Sequence, residues 1–259
     1  MYSTIGLNNV TGDPTLKNER LLQVDLGWEY RGEKVRSGVR AYHAWGFDYI
    51  TFENTLVNYI PPIGDVGQES LRYVNTALAT LTGAEAFGEL FPTSPITPFG
   101  VVKFVDGRDR TRNGNFATSN GSQGDPSRKV DGLSRGFFSG IVGGASEPLP
   151  GIPPLETRIG CRYHDTSRRQ RWNFELSTRL VDQQDRIATS LLETQTPSFN
   201  IWDIRSVFRP FDKRNLVVST GVENFFDRRY REHFDFRTQN GLSIFQPGAN
   251  FYISTSLTY

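Results

Sequence analysis

The stretch "LLQVDLGWEY" (Leu21–Tyr30) alternates between apolar and polar letters from its second residue to its last. Successive side chains of a β-strand point to opposite faces, so this pattern predicts a strand with one apolar and one polar face. The predicted apolar face carries Leu22, Val24, Leu26, Trp28 and Tyr30, and the polar face carries Gln23, Asp25, Gly27 and Glu29.

The same alternation recurs along the chain and predicts about nine strands. It is clear in Val39–Tyr49, Leu155–Tyr163, Trp172–Leu180 and, from Phe251 onward, in the last strand at Ser243–Tyr259, and weaker in "WDIRSVF" and "LVVSTGVEN". Leu78–Leu90 and Phe99–Asp106 read as strands with blurred faces. The predicted polar faces carry Asp25, Glu29, Arg40, Asp48, Arg158, Arg162, Glu175, Arg179, Asp203 and Arg205.

The connections between these strands alternate in length, which predicts an antiparallel meander whose two ends face different surroundings. Short polar turns are expected near Gly32, Pro92–Thr97, Thr166–Gln170 and Pro210–Arg214. Longer connections are expected at Glu53–Leu71, Arg108–Pro154, Ala188–Ser198 and Glu232–Leu242.

Composition and charge argue against several classes of protein, including nucleic-acid binders, disulfide-stabilised folds and helical membrane proteins. The 259 residues suffice for one large β domain or two ordinary ones, and a net charge of +1 gives no electrostatic case for nucleic acid. The single cysteine, Cys161, excludes an intramolecular disulfide and a cysteine-based metal cluster. No apolar run approaches the length of a membrane helix, and residues 1–20 do not form a signal peptide.

Two architectures fit alternating strands. A soluble sandwich or barrel would turn the apolar face inward, whereas a transmembrane barrel would turn it toward lipid around a polar interior. Long connections at one end only, strands of about ten residues and aromatic residues near strand ends favour the transmembrane barrel.

Four motifs carry a resemblance to a known family. They are "TGDPTLKNER" (Thr11–Arg20), "EPLPGIPPLETRIGCRY" (Glu147–Tyr163), "GVENFFDRRYREH" (Gly221–His233) and "QPGANFYISTSLTY" (Gln246–Tyr259). Together they resemble TonB-dependent outer-membrane receptors of the siderophore type, although Asp13 and Asn18 replace the residues that are commoner there. The third motif matches the family pattern at Asn224, Phe225, Phe226, Asp227 and Tyr230.

The resemblance implies a fold: residues 1–259 would be the C-terminal part, about nine strands, of an all-β barrel of about twenty-two strands. We expect the plug domain and the N-terminal barrel strands to be absent, so that the chain is a fragment. The resemblance also implies that the last strand is read by the barrel-assembly machinery, with Thr255 as a departure. The implied signal residues are Phe251, Ile253, Leu257 and Tyr259.

The resemblance further implies a function in the outer membrane of a Gram-negative-type bacterium, in contact with outer-membrane lipid. The parent would take up a ferric siderophore or another metal chelate, driven by TonB–ExbB–ExbD through the plug domain that is absent here. An anionic, aromatic chelate would meet basic and aromatic residues of the outer loops. The candidates are Arg108, Arg110, Arg112, Phe137, Phe138 and His233.

The sequence gives little support for catalysis or for a bound cofactor. No G-x-S-x-G motif occurs, the pair His164-Asp165 lies at a predicted turn, and the charged run Asp106–Asn115 lacks the bidentate Glu of a calcium loop. We therefore expect no catalytic residue, no metal site and no cofactor. The open alternatives are a self-contained porin-like barrel, which predicts an even strand count and a signal peptide, a soluble β-sandwich binding module, and an esterase within a barrel.

Overall fold

A computed structural model describes residues 7–11, 14–60, 64–111, 146–167, 170–188, 193–211, 215–234 and 244–258. Over these ranges no helix is long and apolar enough to cross a bilayer. The strands are β1 (Leu7–Thr11), β2 (Arg20–Arg31), β3 (Val35–Ile60), β4 (Gly64–Leu90), β5 (Ile96–Asp109), β6 (Glu147–Pro148), β7 (Glu156–His164), β8 (Trp172–Val181), β9 (Phe199–Phe208), β10 (Asn215–Glu223) and β11 (Asn250–Thr258).

One sheet contains all of these strands, in the order β11-β10-β9-β8-β7-β5-β4-β3-β2. Each neighbouring pair along this path is antiparallel, while the short β1 pairs parallel to β4 and the short β6 pairs with β5. The predicted all-β antiparallel meander is therefore confirmed, and in the described part of the chain no second sheet packs on it to make a sandwich. Strands β2 and β11 form the two edges of the path.

Two predicted boundaries are wrong. The segment Glu53–Leu71 was expected as a loop, but β3 and β4 continue through it as a hairpin and reach 26 and 27 residues. The last strand starts at Asn250 instead of near Ser243. The letters of Glu53–Leu71 do not alternate strictly between apolar and polar, so hydrophobic alternation could not reveal this hairpin.

Short connections join β2 to β3 and β4 to β5 near Gly32 and Pro92, as expected, and the expected turns at Thr166–Gln170 and Pro210–Arg214 lie partly outside the described residues. In the β7–β8 turn, Asp165 accepts hydrogen bonds from the Ser167 hydroxyl and from the backbone N–H groups of Ser167 and Arg171. These bonds favour the charged carboxylate and lower the pKa of Asp165 to about 2. The side chain thus closes the turn that joins two strands.

The register places the predicted polar residues on one face. Arg40 pairs with Glu85 across β3 and β4, and Arg162 pairs with Glu175 across β7 and β8. The opposite face is apolar and open: Leu26 is 72% exposed and Phe251 is 68% exposed. An apolar face of this extent is unfavourable in water, so it requires an apolar surrounding.

Ion pairs cross the polar face near its short-turn end. Successive partners are separated by between 2.6 Å (Arg158 to Glu175) and 3.7 Å (Arg36 to Glu89). On the intervening β5, the ring of Phe99 lies 4.8 Å from the Arg162 guanidinium. We call this set the ion-pair belt: Glu29, Arg36, Glu89, Arg162, Glu175 and Arg158.

Glycines on the polar face receive aromatic rings from neighbouring strands. A Cβ on Gly160 would lie 2.6 Å from Phe99 Cζ, 2.7 Å from the Leu176 carbonyl oxygen and 2.8 Å from Ser177 Cβ. Rings cover three other glycines in the same way, and this packing replaces the side-chain contact that a glycine lacks. The other pairs are Phe87 on Gly38, Tyr42 on Gly83 and Tyr252 on Gly221.

We predict that Gly160→Ala destabilises the sheet, because a backbone carbonyl and the Ser177 Cβ cannot move aside independently. The expected loss is about 1–3 kcal/mol in the free energy of unfolding. Urea unfolding in detergent micelles measures it. The control is Gly88→Ala, since a Cβ there meets nothing within 4 Å; equal stability of the two variants would contradict the proposed packing.

Candidate functional site

The described parts of three long connections pack over the polar face at the end opposite the short turns. We call residues 146–155, 182–188, 193–198 and 224–234 the loop cluster. Leu149 and Ile152 of this cluster pack on Ala79, and Leu81 and Val105 complete the apolar contact. A second apolar contact joins Tyr230 to three buried residues of the wall, which are Val181, Phe199 and Ile201.

The loop cluster also covers an open edge. Strand β5 pairs with β7 only through Lys103, so its last residues have a free side. The carbonyl oxygen of Val105 accepts a hydrogen bond from Arg186 at 2.6 Å, and that of Gly107 accepts one from the Leu149 N–H at 2.9 Å. Strand β6 pairs with the end of β5. The edge is thereby paired within the chain.

Glu193 holds three parts of the loop cluster together. Its Oε1 accepts hydrogen bonds from the Gly151 N–H at 2.8 Å and from His233 Nε2 at 3.1 Å. Its Oε2 accepts one from the Ala188 N–H at 2.7 Å. Glu193 is 8% exposed and His233 is 2% exposed, and a buried carboxylate needs such donors. One side chain therefore fixes three connections relative to each other.

Arg179 ties the cluster to the wall. Its guanidinium donates to both carboxylate oxygens of Glu232, at 2.7 and 3.0 Å, and lies 3.1 Å from Glu156. The Tyr230 ring lies 4.5 Å from the ring of Phe199, and burial raises the pKa of Tyr230. The β10–β11 connection is thus held by two neighbouring contacts.

The family motif closes the turn that leaves β10. The Asn224 side chain accepts from the Arg228 N–H at 2.9 Å and donates to the Arg228 carbonyl at 2.8 Å. Asp227 Oδ1 accepts from the Ala249 N–H at 3.0 Å, which joins the turn to the start of β11. Asn224 and Asp227 both adopt positive φ, at 52° and 53°, which Asn and Asp tolerate better than most residues.

The two phenylalanines of the family motif and the described signal residues of the last strand are exposed. Phe225 and Phe226 are exposed, and Phe226 lies 6.3 Å from Trp202 in an edge arrangement. The signal residues Phe251, Ile253 and Leu257 are exposed on the apolar face, and Tyr259 lies outside the described residues.

Three of the six predicted ligand-binding residues, Arg108, Arg110 and His233, lie among the described residues. Arg108 donates to Asp106 at 3.2 Å, and the exposed Arg110 donates to Thr80 Oγ1 at 2.9 Å. His233 is buried with both ring nitrogens engaged, by Glu193 and by Thr196, so in this arrangement it supports the loops. The others, Arg112, Phe137 and Phe138, lie outside the described residues.

Sequence reasoning missed Glu193, Gln184 and Arg186, which organise the loop cluster. They occur in an aperiodic connection, where no pattern distinguishes a buried polar residue from a solvated one. Among the described residues, no group of three His, Cys, Asp or Glu side chains is placed to hold a metal ion. The buried polar side chains of the loop cluster bond to other connections and so fix their positions.

We predict that Glu193→Gln loosens the loop cluster, because the amide places an NH₂ where a carboxylate oxygen now accepts a backbone N–H. The expected cost is about 1–3 kcal/mol in local stability. Hydrogen exchange of the Gly151 and Ala188 amides should become faster. Glu33→Gln, in the exposed β2–β3 turn, is the control, and unchanged exchange in the Glu193 variant would contradict the role of this side chain.

Comparison with known proteins identifies the family. The model of the family described as TonB dependent receptor-like, β-barrel, matches residues 1–225. Among curated proteins, none matches the chain. Solved structures that resemble it include the copper transporter OprC (22% identity, TM-score 0.64, 93% of this chain and 32% of that one).

Two further structures show the same fold. The FrpB iron transporter from Neisseria meningitidis has 12% identity, a TM-score of 0.59 and coverage of 95% of this chain and 32% of its own. The siderophore receptor PirA from Acinetobacter baumannii has 15% identity, a TM-score of 0.55 and coverage of 95% and 32%. The chain thus spans about a third of the length of these structures. On the family match, with the fold in agreement, the chain belongs to the TonB-dependent receptors, within their β-barrel domain.

Proposed function

We propose that this chain is the C-terminal part of the barrel wall of an outer-membrane receptor that takes up a ferric siderophore or a similar metal chelate. A single observation carries the proposal: nine antiparallel strands of this family expose one apolar face and hold an ion-paired polar face. Such a wall has lipid on the first side and a water-filled or plugged interior on the second.

The rest of the barrel would pair with β2 and β11, because an open strand edge in hydrocarbon leaves backbone groups without partners. A plug domain outside this chain would close the interior and receive energy from TonB–ExbB–ExbD. The polar face, with its ion-pair belt, would then line the interior. The barrel-assembly machinery would recognise the last strand through Phe251, Ile253, Leu257 and Tyr259.

The loop cluster gives the outer end of this wall a fixed shape. It lies at the end of β5 from which the connection with Arg112, Phe137 and Phe138 departs. Exposed basic residues such as Arg110, together with these aromatic residues, suit an anionic and aromatic chelate. His233 is better assigned to loop support, as its buried contacts with Glu193 and Thr196 indicate. The chain would bind and admit its ligand without chemical turnover.

We predict that deletion of the gene from its native cells abolishes accumulation of radiolabelled metal from at least one ferric chelate under iron limitation. An uncoupler of the inner-membrane proton gradient should abolish the same accumulation in the undeleted cells, since uptake is driven through TonB. The measurement is metal accumulation with a panel of ferric siderophores, a copper chelate and cobalamin.

The same measurement separates the alternatives. A porin-like barrel would show uptake that the uncoupler leaves unchanged, and a soluble binding module would be extracted from cells without detergent. Either result would contradict the proposed function. Restoration by the native gene, but not by a gene lacking the codons for β11, is the control for a polar effect of the deletion.

A further inference from the structure

Two neighbouring connections at the short-turn end of the wall are strongly basic. The β7–β8 connection (165–171) and the β9–β10 connection (209–214) together hold six basic and two acidic residues. By contrast, the β2–β3 connection (32–34) holds one residue of each sign, and the β4–β5 connection (91–95) holds none. The basic residues are Arg168, Arg169, Arg171, Arg209, Lys213 and Arg214, of which Arg171 and Arg209 lie among the described residues.

Hydrogen bonds join the two connections to each other. The backbone N–H of Arg209 donates to the Arg171 carbonyl at 2.7 Å, and Nη1 of the Arg209 guanidinium donates to the Gln170 carbonyl at 2.9 Å. Asp165, one of the two acidic residues, accepts hydrogen bonds within its own turn. Arg171 is exposed, so positive charge faces the surroundings where the two connections meet. We call Arg171 and Arg209 the basic rim.

Aromatic residues adjoin the basic rim. Trp172 is the first residue of β8, Phe208 is the last residue of β9, and the two are register partners. The Tyr163 ring lies 4.6 Å from the Trp172 ring, and Phe211 of the β9–β10 connection is exposed. Aromatic residues at the ends of membrane strands are typical of the level of lipid headgroups. Exposed apolar residues continue from Trp172 along β8, and they are Phe174, Leu176 and Leu180.

We propose that the basic rim binds the phosphate of an acidic phospholipid, whose acyl chains lie against Trp172, Phe208 and the apolar face that continues from them. A guanidinium binds a phosphate through paired N–H donors, and basic residues near a bilayer surface attract anionic lipid. Both arginines lie at strand ends, where a long side chain can extend to the headgroups. The inference rests on the proposed function, which puts the apolar face in lipid.

The occupant is a lipid because the positive charge and the apolar face are continuous. Arg171 directly precedes Trp172, and Arg209 directly follows Phe208. An acidic peptide would satisfy the arginines but would leave the apolar face without a partner. An acidic phospholipid satisfies both, since its phosphate and its acyl chains are joined in one molecule.

The test uses the protein as cells produce it, purified from membranes in neutral detergent and mixed with equal amounts of phosphatidylglycerol and phosphatidylcholine that have the same acyl chains. Native mass spectrometry counts the bound lipids. One variant combines Arg171→Gln with Arg209→Gln, and a second combines Arg171→Lys with Arg209→Lys. The control combines Arg228→Gln with Arg229→Gln, which removes the same charge from exposed residues at the long-connection end.

We expect the unchanged protein, the lysine variant and the control to bind phosphatidylglycerol in excess over phosphatidylcholine. The glutamine variant should lose about tenfold of that preference, because the attraction depends on charge near the bilayer surface. An unchanged preference in the glutamine variant, or an equal loss in the control, would overturn the site. An equal loss in the lysine variant would assign the effect to the shape of the turns and would also overturn it.

The remaining outcomes separate this site from a free phosphate and from the proposed function. Displacement of phosphatidylglycerol by millimolar inorganic phosphate would overturn the assignment to a lipid. Loss of the lipid preference beside uncoupler-sensitive metal uptake would overturn the lipid site alone. Extraction of the unchanged protein from cells without detergent would contradict the proposed function, and with it the site.

Discussion

In our account the wall lies in a bilayer, where every backbone N–H and C=O group must find its hydrogen-bond partner within the protein, and the rest of the structure depends on that requirement. The meander satisfies it strand by strand, since each interior strand of the path has a partner on both sides. Beyond Lys103, β5 extends past the start of β7, and there Arg186, Leu149 and β6 provide hydrogen-bond partners for its backbone. The edges at β2 and β11 are the places where the wall would continue.

The two faces of the wall are stabilised differently. The apolar face has no packing partner in the described part of the chain and gains its favourable surroundings from lipid in our account. The polar face is stabilised by the ion-pair belt and by rings that lie on glycines. An individual exposed ion pair contributes little to the free energy of folding in water. A series of ion pairs that share partners, however, fixes the geometry of neighbouring strands. Phe99 takes part in both kinds of contact, since its ring covers Gly160 and lies against the Arg162 guanidinium of the ion-pair belt.

Most of the wall was predictable from the sequence, because a face that meets one medium along its length has strict alternation. Leu22 to Tyr30 and Trp172 to Leu180 show this, and their faces were assigned correctly. The hairpin formed by the end of β3 and the start of β4 was not predictable, because its letters do not alternate strictly. The loop cluster was not predictable either: the buried state of Glu193 and His233 arises from contacts between connections far apart in sequence.

The family motif was recognised, and its structure shows why Asn224 and Asp227 suit it, through side-chain hydrogen bonds at positive φ.

The central claim, that the apolar face meets lipid and the polar face does not, can be tested with the single natural cysteine. Cys161 is exposed and pairs with Leu176 on the apolar face, and Lys103 is exposed on the polar face. A fluorophore on Cys161 of the membrane-inserted protein should be quenched strongly by brominated lipids and weakly by aqueous iodide. On position 103 of a protein carrying Cys161→Ser and Lys103→Cys, iodide should quench more strongly than brominated lipids. Quenching of the Cys161 probe by iodide alone would contradict the account.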